Sequence, residues 1–265
     1  MEDESGAERR LLARERKYDK ERRVRIKHSE DRGALEEVFD TRTLMLIYGL
    51  MNKGALSELG GVISAGKESR VYYGRAQDRE VAVKVYLTGS AEFRKGMMPY
   101  IVGDHRFSKV KRSDIRSIIG VWARKEFVNL REFRRVGVSV PEPLHVEGNV
   151  LVMEFIGEDA LRAPLLNEVA LPDPSPTYDR LIQAIRLMVR DAGLVHGDLS
   201  EFNVMIWNDL PVVIDVSQSL PISHPLAKDL LARDINNINK FFRGRGVKVV
   251  DEEDFLQELM KTDSS

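Results

Sequence analysis

The sequence predicts an α+β fold in which strands fill the first half of the chain and helices most of the second. Short apolar runs separated by Gly, Pro or Asn recur between positions 59 and 156, interrupted by one long helical stretch at 114–135. After position 175, most stretches have apolar residues at helical spacing. Strand runs followed by helix runs are typical of α+β chains. We expect three parts, which are a charged N-terminal helical extension (1–55), a strand-rich lobe (56–155) and a mainly helical lobe (156–265).

Composition excludes several classes of function. The chain has 265 residues, 43% apolar and 31% charged, which suffices for one large core or two modest lobes. Its net charge of −1 is not typical of a nucleic-acid-binding protein, so any basic patch must be local. The absence of Cys excludes disulfides, thiolate metal sites and thiol catalysis. No apolar run approaches the roughly 20 residues that span a bilayer, so we expect a cytoplasmic protein without membrane contact.

The N-terminal part divides into a charged stretch and an amphipathic helix. Residues 8–27 are dense in Arg, Lys and Glu, which predicts a solvated helix or a partly disordered segment. Asp40 or Thr41 then caps a second helix, which ends before Gly54. We expect its apolar stripe to pack on the following lobe; the stripe consists of Leu44, Ile47, Leu50 and Met51.

The stretch around Asp198 carries the strongest chemical signal. Residues 194–203 read Leu-Val-His-Gly-Asp-Leu-Ser-Glu-Phe-Asn, so an Asn follows the Asp by five positions. Phosphoryl transfer from ATP uses such a pair, in which the Asp orients the attacking hydroxyl and the Asn helps to hold Mg²⁺. We interpret Asp198 as the catalytic Asp and Asn203 as a metal ligand. A lone His-Gly-Asp is often only a turn, so the interpretation depends on the residues after Asn203.

A β-hairpin is predicted directly after this loop. The apolar runs 204–207 and 211–214 flank Asn208-Asp209, which is typical of a two-residue turn. The hairpin would bring Asn203 at its start beside Asp215 at its end. Mg²⁺ is usually held by one or two carboxylates together with phosphate oxygens. We therefore predict Asn203 and Asp215 as the metal ligands.

A glycine-containing loop lies between two predicted strands early in the strand-rich lobe. Positions 61–67 match G-x-x-x-x-G-K, the start of a Walker A loop. The match fails because Glu68 has no hydroxyl to offer and because the following residues are typical of a strand rather than a helix. We reject a P-loop NTPase. Two strands flanking such a loop can still fold over phosphates, so we predict Ser64, Lys67 and Glu68 near the nucleotide.

Lys84 ends the apolar strand Val-Ala-Val-Lys, which is similar to the kinase strand whose Lys reaches the α- and β-phosphates. A Lys in this position is more often a surface residue with a buried stem. A kinase Lys needs a Glu on the next helix as its partner. Within the helical stretch 114–135, Glu126 is the first candidate and Glu132 the second.

A long connection from 88 to 112 separates Lys84 from that helix. It carries six basic residues interleaved with aromatic ones, opposed only by Glu92 and Asp104. Connections of this length inside a compact lobe are uncommon, so we expect a functional or mobile loop. Its composition suits an RNA backbone, and a merely solvated loop is an equal alternative.

The strand at 150–156 is a candidate hinge between the two lobes. In a two-lobed kinase, backbone groups on this strand bind adenine. Glu154 and Ile156 would make those bonds here, and Met153 would line the back of the pocket. The alternative is an ordinary core strand, which periodicity cannot distinguish from a hinge.

Together these residues resemble the RIO family of atypical serine/threonine kinases, and specifically its first subfamily. The motifs that carry the resemblance are 64–72 (Ser-Ala-Gly-Lys-Glu-Ser-Arg-Val-Tyr), 194–205 and 214–218. The resemblance extends from about Leu44 to Phe255. The chain departs from the family at Ala65, where Thr is usual, and at Ser69, where Ala is usual.

The resemblance implies a trimmed, two-lobed protein-kinase-like fold. Such a fold has a five-stranded antiparallel N-lobe sheet with one helix, a hinge and a mainly helical C-lobe. It also implies ATP and Mg²⁺, with Mn²⁺ as a substitute, and a role in maturation of the small ribosomal subunit. Precursor ribosomal RNA and ribosomal proteins would then be partners. A protein substrate with Ser or Thr would include the chain itself, with Ser108 as the candidate site.

Two other functions stay open. Aminoglycoside and choline-type kinases share the His-Gly-Asp-x-x-x-x-Asn pattern and phosphorylate small molecules, but they usually need a larger C-terminal lobe than the residues after Asp215 provide. The third hypothesis is an assembly ATPase with little protein kinase activity. In that case Asp215 would itself accept the γ-phosphate, because a metal-bound carboxylate in line with ATP can act as a nucleophile.

Overall fold

The computed structural model describes residues 39–87, 91–107 and 115–261. The predicted charged helix at 8–27 lies outside the described residues, as does Ser108. Helix α1 (Thr41–Asn52) confirms the predicted amphipathic helix. The Asp40 carboxylate accepts a hydrogen bond from the Thr43 amide at 2.8 Å and so caps the helix. Ile47 and Leu50 are buried beneath it against the first sheet.

The N-lobe is built on a five-stranded antiparallel sheet with strand order β1-β2-β3-β5-β4. Val and Tyr dominate the central strands, where β-branched and aromatic residues pack well on a pleated surface. Strand β3 lies in the middle of the sheet and positions Lys84. The strands are β1 (Glu58–Ala65), β2 (Ser69–Ala76), β3 (Arg79–Tyr86), β4 (Pro143–Glu147) and β5 (Val150–Glu154).

The connection after β3 corrects one prediction. The expected loop at 88–112 contains helix α2 (Ala91–Ile101) and a 3₁₀ turn (His105–Phe107), so the N-lobe has more than the one predicted helix. Met97 and Ile101 are buried against Trp122 of helix α3 (Ile115–Arg135). The basic residues and the internal Pro99 conceal this short apolar stripe in the sequence, because Pro usually ends a helix.

The C-lobe is mainly helical, as predicted, and contains the predicted hairpin β9–β10. Its core lies between helices α4 and α5 and the short strands beside the catalytic loop. The elements are β6 (Gly157–Glu158), β7 (Leu161–Arg162), a 3₁₀ turn (Leu166–Glu168), α4 (Ser175–Arg186), a π turn (Leu187–Asp191), β8 (Leu194–Val195), β9 (Val204–Trp207), β10 (Leu210–Val213), β11 (Leu220–Pro221), α5 (Ala227–Arg243) and α6 (Glu252–Met260).

Helix α5 is the central support of the C-lobe. Ile235, Ile238 and Phe242 lie buried along its inner face. Asp251 caps helix α6 by accepting hydrogen bonds from two backbone amides, and the first turn of this helix is acidic, which suits its positive N-terminal end. Within the described ranges 39–87, 91–107 and 115–261, no helix has the length and apolar character to cross a bilayer.

Gly157, directly after the candidate hinge, has φ of +149° in the tight hairpin β6–β7. A Cβ at this position would overlap the carbonyl oxygen of Leu161. Gly157→Ala should therefore lower the free energy of unfolding by about 2 kcal/mol or more, because backbone atoms have to move. The measurement is urea unfolding followed by circular dichroism.

Gly49→Ala provides the control for this substitution. Gly49 lies inside α1 with no atom within 4 Å of an added Cβ, so the change should stabilise by about 0.5–1 kcal/mol. A Gly157→Ala protein as stable as the unmodified chain would contradict the described hairpin geometry.

Candidate active site

The catalytic loop is held by a buried carboxylate on α5. The loop follows strand β8 and carries Asp198. The carboxylate of Asp234 accepts hydrogen bonds from the amides of Gly197 (2.7 Å) and Leu199 (2.8 Å), one on each carboxylate oxygen. Gly197 has φ of +84°, a conformation that favours Gly. Burial raises the pKa of Asp234 to about 7, against the lowering effect of the two amides. Helix α5 therefore fixes the loop backbone on both sides of Asp198.

Asp198 projects from this loop with about half of its side chain exposed. Its carboxylate lies 3.7 Å from the Arg233 guanidinium and accepts a 3.3 Å hydrogen bond from Asn203. Burial raises the pKa of Asp198, and the neighbouring Asp215 adds to the effect while Arg233 opposes it. A carboxylate with a raised pKa at a solvent-accessible site is suited to take up a proton.

Asn203 is oriented by the same loop. Its amide nitrogen donates to the Asp198 carbonyl at 2.7 Å, which leaves its side-chain oxygen available as a ligand. The hairpin turn Asn208-Asp209 has positive φ at both residues (50° and 60°), which is the type I′ geometry expected for a two-residue turn. The Ile214 amide then donates to the Asn203 carbonyl at 2.9 Å. The hairpin thus brings Asn203 beside the residue preceding Asp215, as predicted.

Asp215 follows the hairpin in a left-handed backbone conformation, with φ of +55°. Its side chain is 46% exposed and accepts hydrogen bonds from Lys84 (3.0 Å) and Ser217 (2.8 Å). Burial would raise the pKa of this carboxyl, but Lys84 and Ser217 together hold the pKa below its ordinary value. Asp215 is therefore an ionised, accessible oxygen donor.

Lys84 is buried and forms ion pairs with two carboxylates. Its side chain is 5% exposed, and its Nζ lies 2.8 Å from Glu126 and 3.0 Å from Asp215. Burial would lower its pKa, but the two carboxylates outweigh burial and raise the pKa, so the ammonium stays charged. The structure thus selects Glu126 as the partner. Glu132, the second candidate, pairs with Arg135 near the end of α3 instead.

Tyr86 supports the pair from the same strand. Its hydroxyl donates a hydrogen bond to Glu126, and the side chain is almost completely buried. The two charges at the centre of the site therefore have additional hydrogen-bond partners, which buried ion pairs require for stability.

The β1–β2 loop carries Lys67 and Glu68, and Ser64 lies near the end of β1 just before it; all three residues are exposed. The loop closes with a hydrogen bond from the Gly66 amide to the Ser69 carbonyl at 2.9 Å. Partial burial raises the pKa of Glu68, and the negative charges of Asp215 and Asp198 add to the rise while Lys84 opposes it. A strand follows this loop, which agrees with our rejection of a P-loop.

The candidate hinge follows β5. Met153 is half-buried opposite Ala82, and Ile156 is buried. The Glu154 amide donates to Glu142, and the Ile156 carbonyl accepts from Ala163, both at 2.8 Å. Any bond from these residues to a purine would therefore use the Glu154 carbonyl or the Ile156 amide. Their adenine contacts stay a prediction.

Sequence reasoning assigned no role to Asp234, Arg233, Ser217 or Tyr86. One signal could have found Asp234, because it lies among the apolar residues of the buried face of α5, where an acid needs partners. Arg233 and Tyr86 act through contacts with residues far apart in sequence, Asp198 and Glu126, and Ser217 bonds Asp215 two positions away through a backbone conformation that the sequence does not reveal. No local pattern marks them.

Comparison with known proteins identifies the family of this chain. Residues 70–255 match the RIO domain. The chain belongs to the RIO family of kinases. It is 39% identical over 258 residues to the RIO-type serine/threonine-protein kinase Rio1 of Haloferax volcanii, covering 97% of this chain and 87% of that protein. It is 40% identical to RIO1 of Caenorhabditis elegans, covering 86% of this chain. The chain spans 46% of that longer relative.

Two solved structures of Rio2 kinase from Chaetomium thermophilum share the fold. One has a TM-score of 0.64 at 22% identity and covers 93% of this chain and 76% of its own. The other, an ADP/Mg²⁺-phosphoaspartate complex, has a TM-score of 0.62 at 23% identity, and the match covers 82% of this chain and 66% of that structure's chain. These likenesses confirm the predicted two-lobed kinase fold of this RIO chain. The RIO1 names of its relatives agree with the predicted first subfamily.

His196 should make the stability of this RIO chain depend on pH. Its Nδ1 accepts from the Asp198 amide at 3.2 Å, and its Nε2 lies 3.3 Å from the Ile214 carbonyl, so the buried ring is neutral with a proton on Nε2. Burial lowers its pKa to about 4. The unfolded chain therefore binds the His196 proton more readily between pH 6.5 and 4, and the contribution of His196 to the unfolding free energy falls in that window by about 3 kcal/mol, against the opposite contribution of Asp234.

His196→Gln removes this titration, so its unfolding free energy should fall less than that of the unmodified chain between pH 6.5 and 4. His145→Gln, at an exposed position, is the control and should keep the full slope. Denaturant unfolding at several pH values measures both variants. Equal slopes for His196→Gln and the unmodified chain would contradict a buried neutral imidazole.

Proposed function

We propose that this chain is an ATP- and Mg²⁺-dependent serine/threonine kinase. The observation that carries the proposal is the buried Lys84 ammonium, held by Glu126 and directed at Asp215 beside the Asp198 loop. A buried charge of this kind is costly unless a function or its partners require it. The names of the curated relatives support the same activity.

The donor set fits Mg²⁺. Asp215 provides an ionised carboxylate and Asn203 an amide oxygen, both of which are hard oxygen ligands. Among the residues that the structure describes, no group of three His, Cys, Asp or Glu could form a cage made only of protein ligands. Two protein ligands completed by phosphate oxygens and water suit Mg²⁺, and the same donors accept Mn²⁺. The bound ion would neutralise and orient the phosphates.

Each remaining residue has a separate task in the proposed reaction. Lys84 would contact the α- and β-phosphates. Ser64 near the end of β1 and Lys67 in the β1–β2 loop, both exposed, would cover them, and Glu68 would face the cation. The substrate hydroxyl oxygen attacks the γ-phosphorus, the bond to the leaving ADP oxygen breaks, and Asp198 accepts the hydroxyl proton. A raised pKa makes Asp198 a better proton acceptor than an ordinary Asp.

Asp198→Asn should lower the turnover number by about 10²- to 10⁴-fold and leave the affinity for Mg²⁺·ATP within about twofold, because it removes only the proton acceptor. Turnover is measured by transfer of labelled γ-phosphate to a generic protein substrate, and affinity by calorimetry. Asp179→Asn, at an exposed site on α4, is the control and should behave like the unmodified chain. Near-normal turnover by Asp198→Asn would refute the assignment.

A second function is favoured by the geometry of Asp215. Its left-handed backbone and half-exposed carboxylate present an ionised oxygen at the site where the γ-phosphate would lie. The related Rio2 structure is described as a phosphoaspartate complex with ADP and Mg²⁺. We infer an ATPase cycle in which an Asp215 oxygen attacks the γ-phosphorus and ADP leaves. Water then cleaves the acyl phosphate and gives its proton to Asp198.

Hydroxylamine distinguishes the two functions, because it cleaves acyl phosphates and leaves phosphoserine and phosphothreonine intact. After ATP turnover, the labelled chain should release phosphate to hydroxylamine, and Asp198→Asn should accumulate more of the labile species. The measurement is the label retained on the denatured protein with and without hydroxylamine. Label that is entirely hydroxylamine-resistant would overturn the ATPase cycle and leave the protein kinase.

We further propose maturation of the small ribosomal subunit in the cytoplasm as the setting, with its precursor RNA and proteins as partners. The support is the basic, aromatic-rich composition of 88–112 together with family membership. Lys109, Lys111, Arg112 and the self-phosphorylation candidate Ser108 lie outside the described residues. A small-molecule kinase is less well supported, because the curated relatives are named serine/threonine-protein kinases.

Reversing the charge of Lys109, Lys111 and Arg112 should weaken binding to small-subunit RNA. Each lost phosphate contact should reduce the slope of log affinity against log salt by about 0.7 to 0.9. Filter binding at several salt concentrations measures the slope, and ATP affinity should stay unchanged. An unchanged RNA slope in the triple variant would remove RNA binding by this segment from the proposal.

A further inference from the structure

A buried polar cluster, separate from the residues of the proposed reaction, lies where three parts of the chain meet. It joins the segment 101–107, which begins at the last residue of α2, to the middle of α3 and to the segment 216–219 after Asp215. Lys125 and Asn129 are fully buried, and Asp104 is 1% exposed. We call Asp104, Arg106, Lys125 and Asn129 the α3 cluster. Buried charges and amides are costly unless fully bonded, so this arrangement requires an explanation.

The inner half of the α3 cluster holds the backbone after Asp215. The Asn129 amide nitrogen donates to the carbonyl of Val216 at 2.8 Å and to that of Ser219 at 3.2 Å. Lys125 donates a hydrogen bond to the same Ser219 carbonyl. The Ser219 hydroxyl donates to the His196 carbonyl at 3.0 Å, next to the catalytic loop. The segment 216–219 is thus fixed at both of its ends from α3.

The outer half of the cluster orients the inner half. Asp104 receives hydrogen bonds from the Arg106 side chain at 2.9 and 2.7 Å and lies 3.7 Å from the Lys125 ammonium. Arg106 also donates to the Asn129 side-chain oxygen at 2.9 Å. This last bond determines which end of the Asn129 amide faces the Val216 carbonyl. Without it, the amide could rotate and its oxygen would oppose a carbonyl oxygen.

The cluster shares its helix with the centre of the active site. Glu126, which holds Lys84, is adjacent to Lys125 and one turn before Asn129 on α3. One helix therefore places the Lys84 ammonium and the Asp215 backbone relative to each other. Asp215 has a positive φ, which is uncommon for residues other than Gly, and the α3 cluster restrains the backbone one residue later, at the Val216 carbonyl.

We propose that Lys125 and Asn129 are positioning residues that set the metal affinity of Asp215, and that the segment 101–107 keeps them in their working orientation. This inference rests on the proposed metal role of Asp215. A purely structural cluster would affect stability alone, whereas a positioning cluster affects the gain in nucleotide affinity that Mg²⁺ provides. Partners behind a metal ligand typically contribute 10- to 100-fold in metal affinity.

The test compares two buried Asn residues with similar surroundings. Asn129 and Asn239 are both fully buried and each donates to a backbone carbonyl, but Asn239 lies at the far end of α5, where it bonds Val250 at 3.0 Å. Affinity for ADP is measured by calorimetry with Mg²⁺ and with EDTA. Asn129→Leu should reduce the Mg²⁺-dependent gain in affinity by about tenfold or more and leave the EDTA affinity within about twofold.

Asn239→Leu should lose comparable thermal stability and retain the full Mg²⁺-dependent gain. An unchanged gain in Asn129→Leu, or an equal loss in both variants, would overturn the inference. Asp104→Asn removes only the outer charge and should give a smaller loss of the same kind. It replaces Asn129→Leu if that protein does not fold, and an unchanged Mg²⁺ gain in Asp104→Asn would then overturn the inference.

Asp215→Ala separates this inference from the proposed function. If the unmodified chain shows no Mg²⁺-dependent gain, or Asp215→Ala retains it, the metal role of Asp215 itself fails. If Asp215→Ala loses the gain while Asn129→Leu and Asp104→Asn keep it, only the positioning role of the α3 cluster fails.

Discussion

The Lys84 ammonium, shared between Glu126 and Asp215, is the interaction on which the rest of the structure depends. Its side chain is 5% exposed, and an ammonium that deep in a protein is tolerated only with charged partners at hydrogen-bond distance. One partner comes from helix α3 and the other from the segment after the hairpin β9–β10. The N-lobe sheet, helix α3 and the segment after the C-lobe hairpin are therefore all in contact with one charged group, the Lys84 ammonium.

Charge balance at the site explains why a cation would be needed. Glu68, Asp198 and Asp215 interact with one another through space, and Lys84 and Arg233 are the cations that oppose them. A triphosphate would add further negative charge to this surplus of carboxylates. A divalent cation between the carboxylates and the phosphates removes that repulsion. The electrostatics of the site and the chemistry of the donors therefore both favour the proposed Mg²⁺.

Much of the fold and the centre of the site could be predicted because their signals are local. Asn203 and Asp215 are brought together by a hairpin whose turn residues lie between them, and Lys84 lies on a recognisable strand. Helix α2 was missed because its short apolar stripe contains Pro99 among basic residues. The contact of Asn129 with Val216 spans 87 positions, and no local pattern indicates a pairing that only the folded chain creates.

The affinity of Lys84→Met for Mg²⁺·ATP tests the central claim most directly, because Met keeps the length of the side chain and removes the charge. Lys53→Met is the matched control, since the Lys53 side chain is 63% exposed and pairs with Glu147 on the surface. The account predicts that Lys84→Met binds Mg²⁺·ATP about 10- to 100-fold more weakly, because one charge-assisted contact with the phosphates is lost. Lys53→Met should bind Mg²⁺·ATP as the unmodified chain does. Equal affinity of Lys84→Met and the unmodified chain, measured by calorimetry on folded protein, would contradict it.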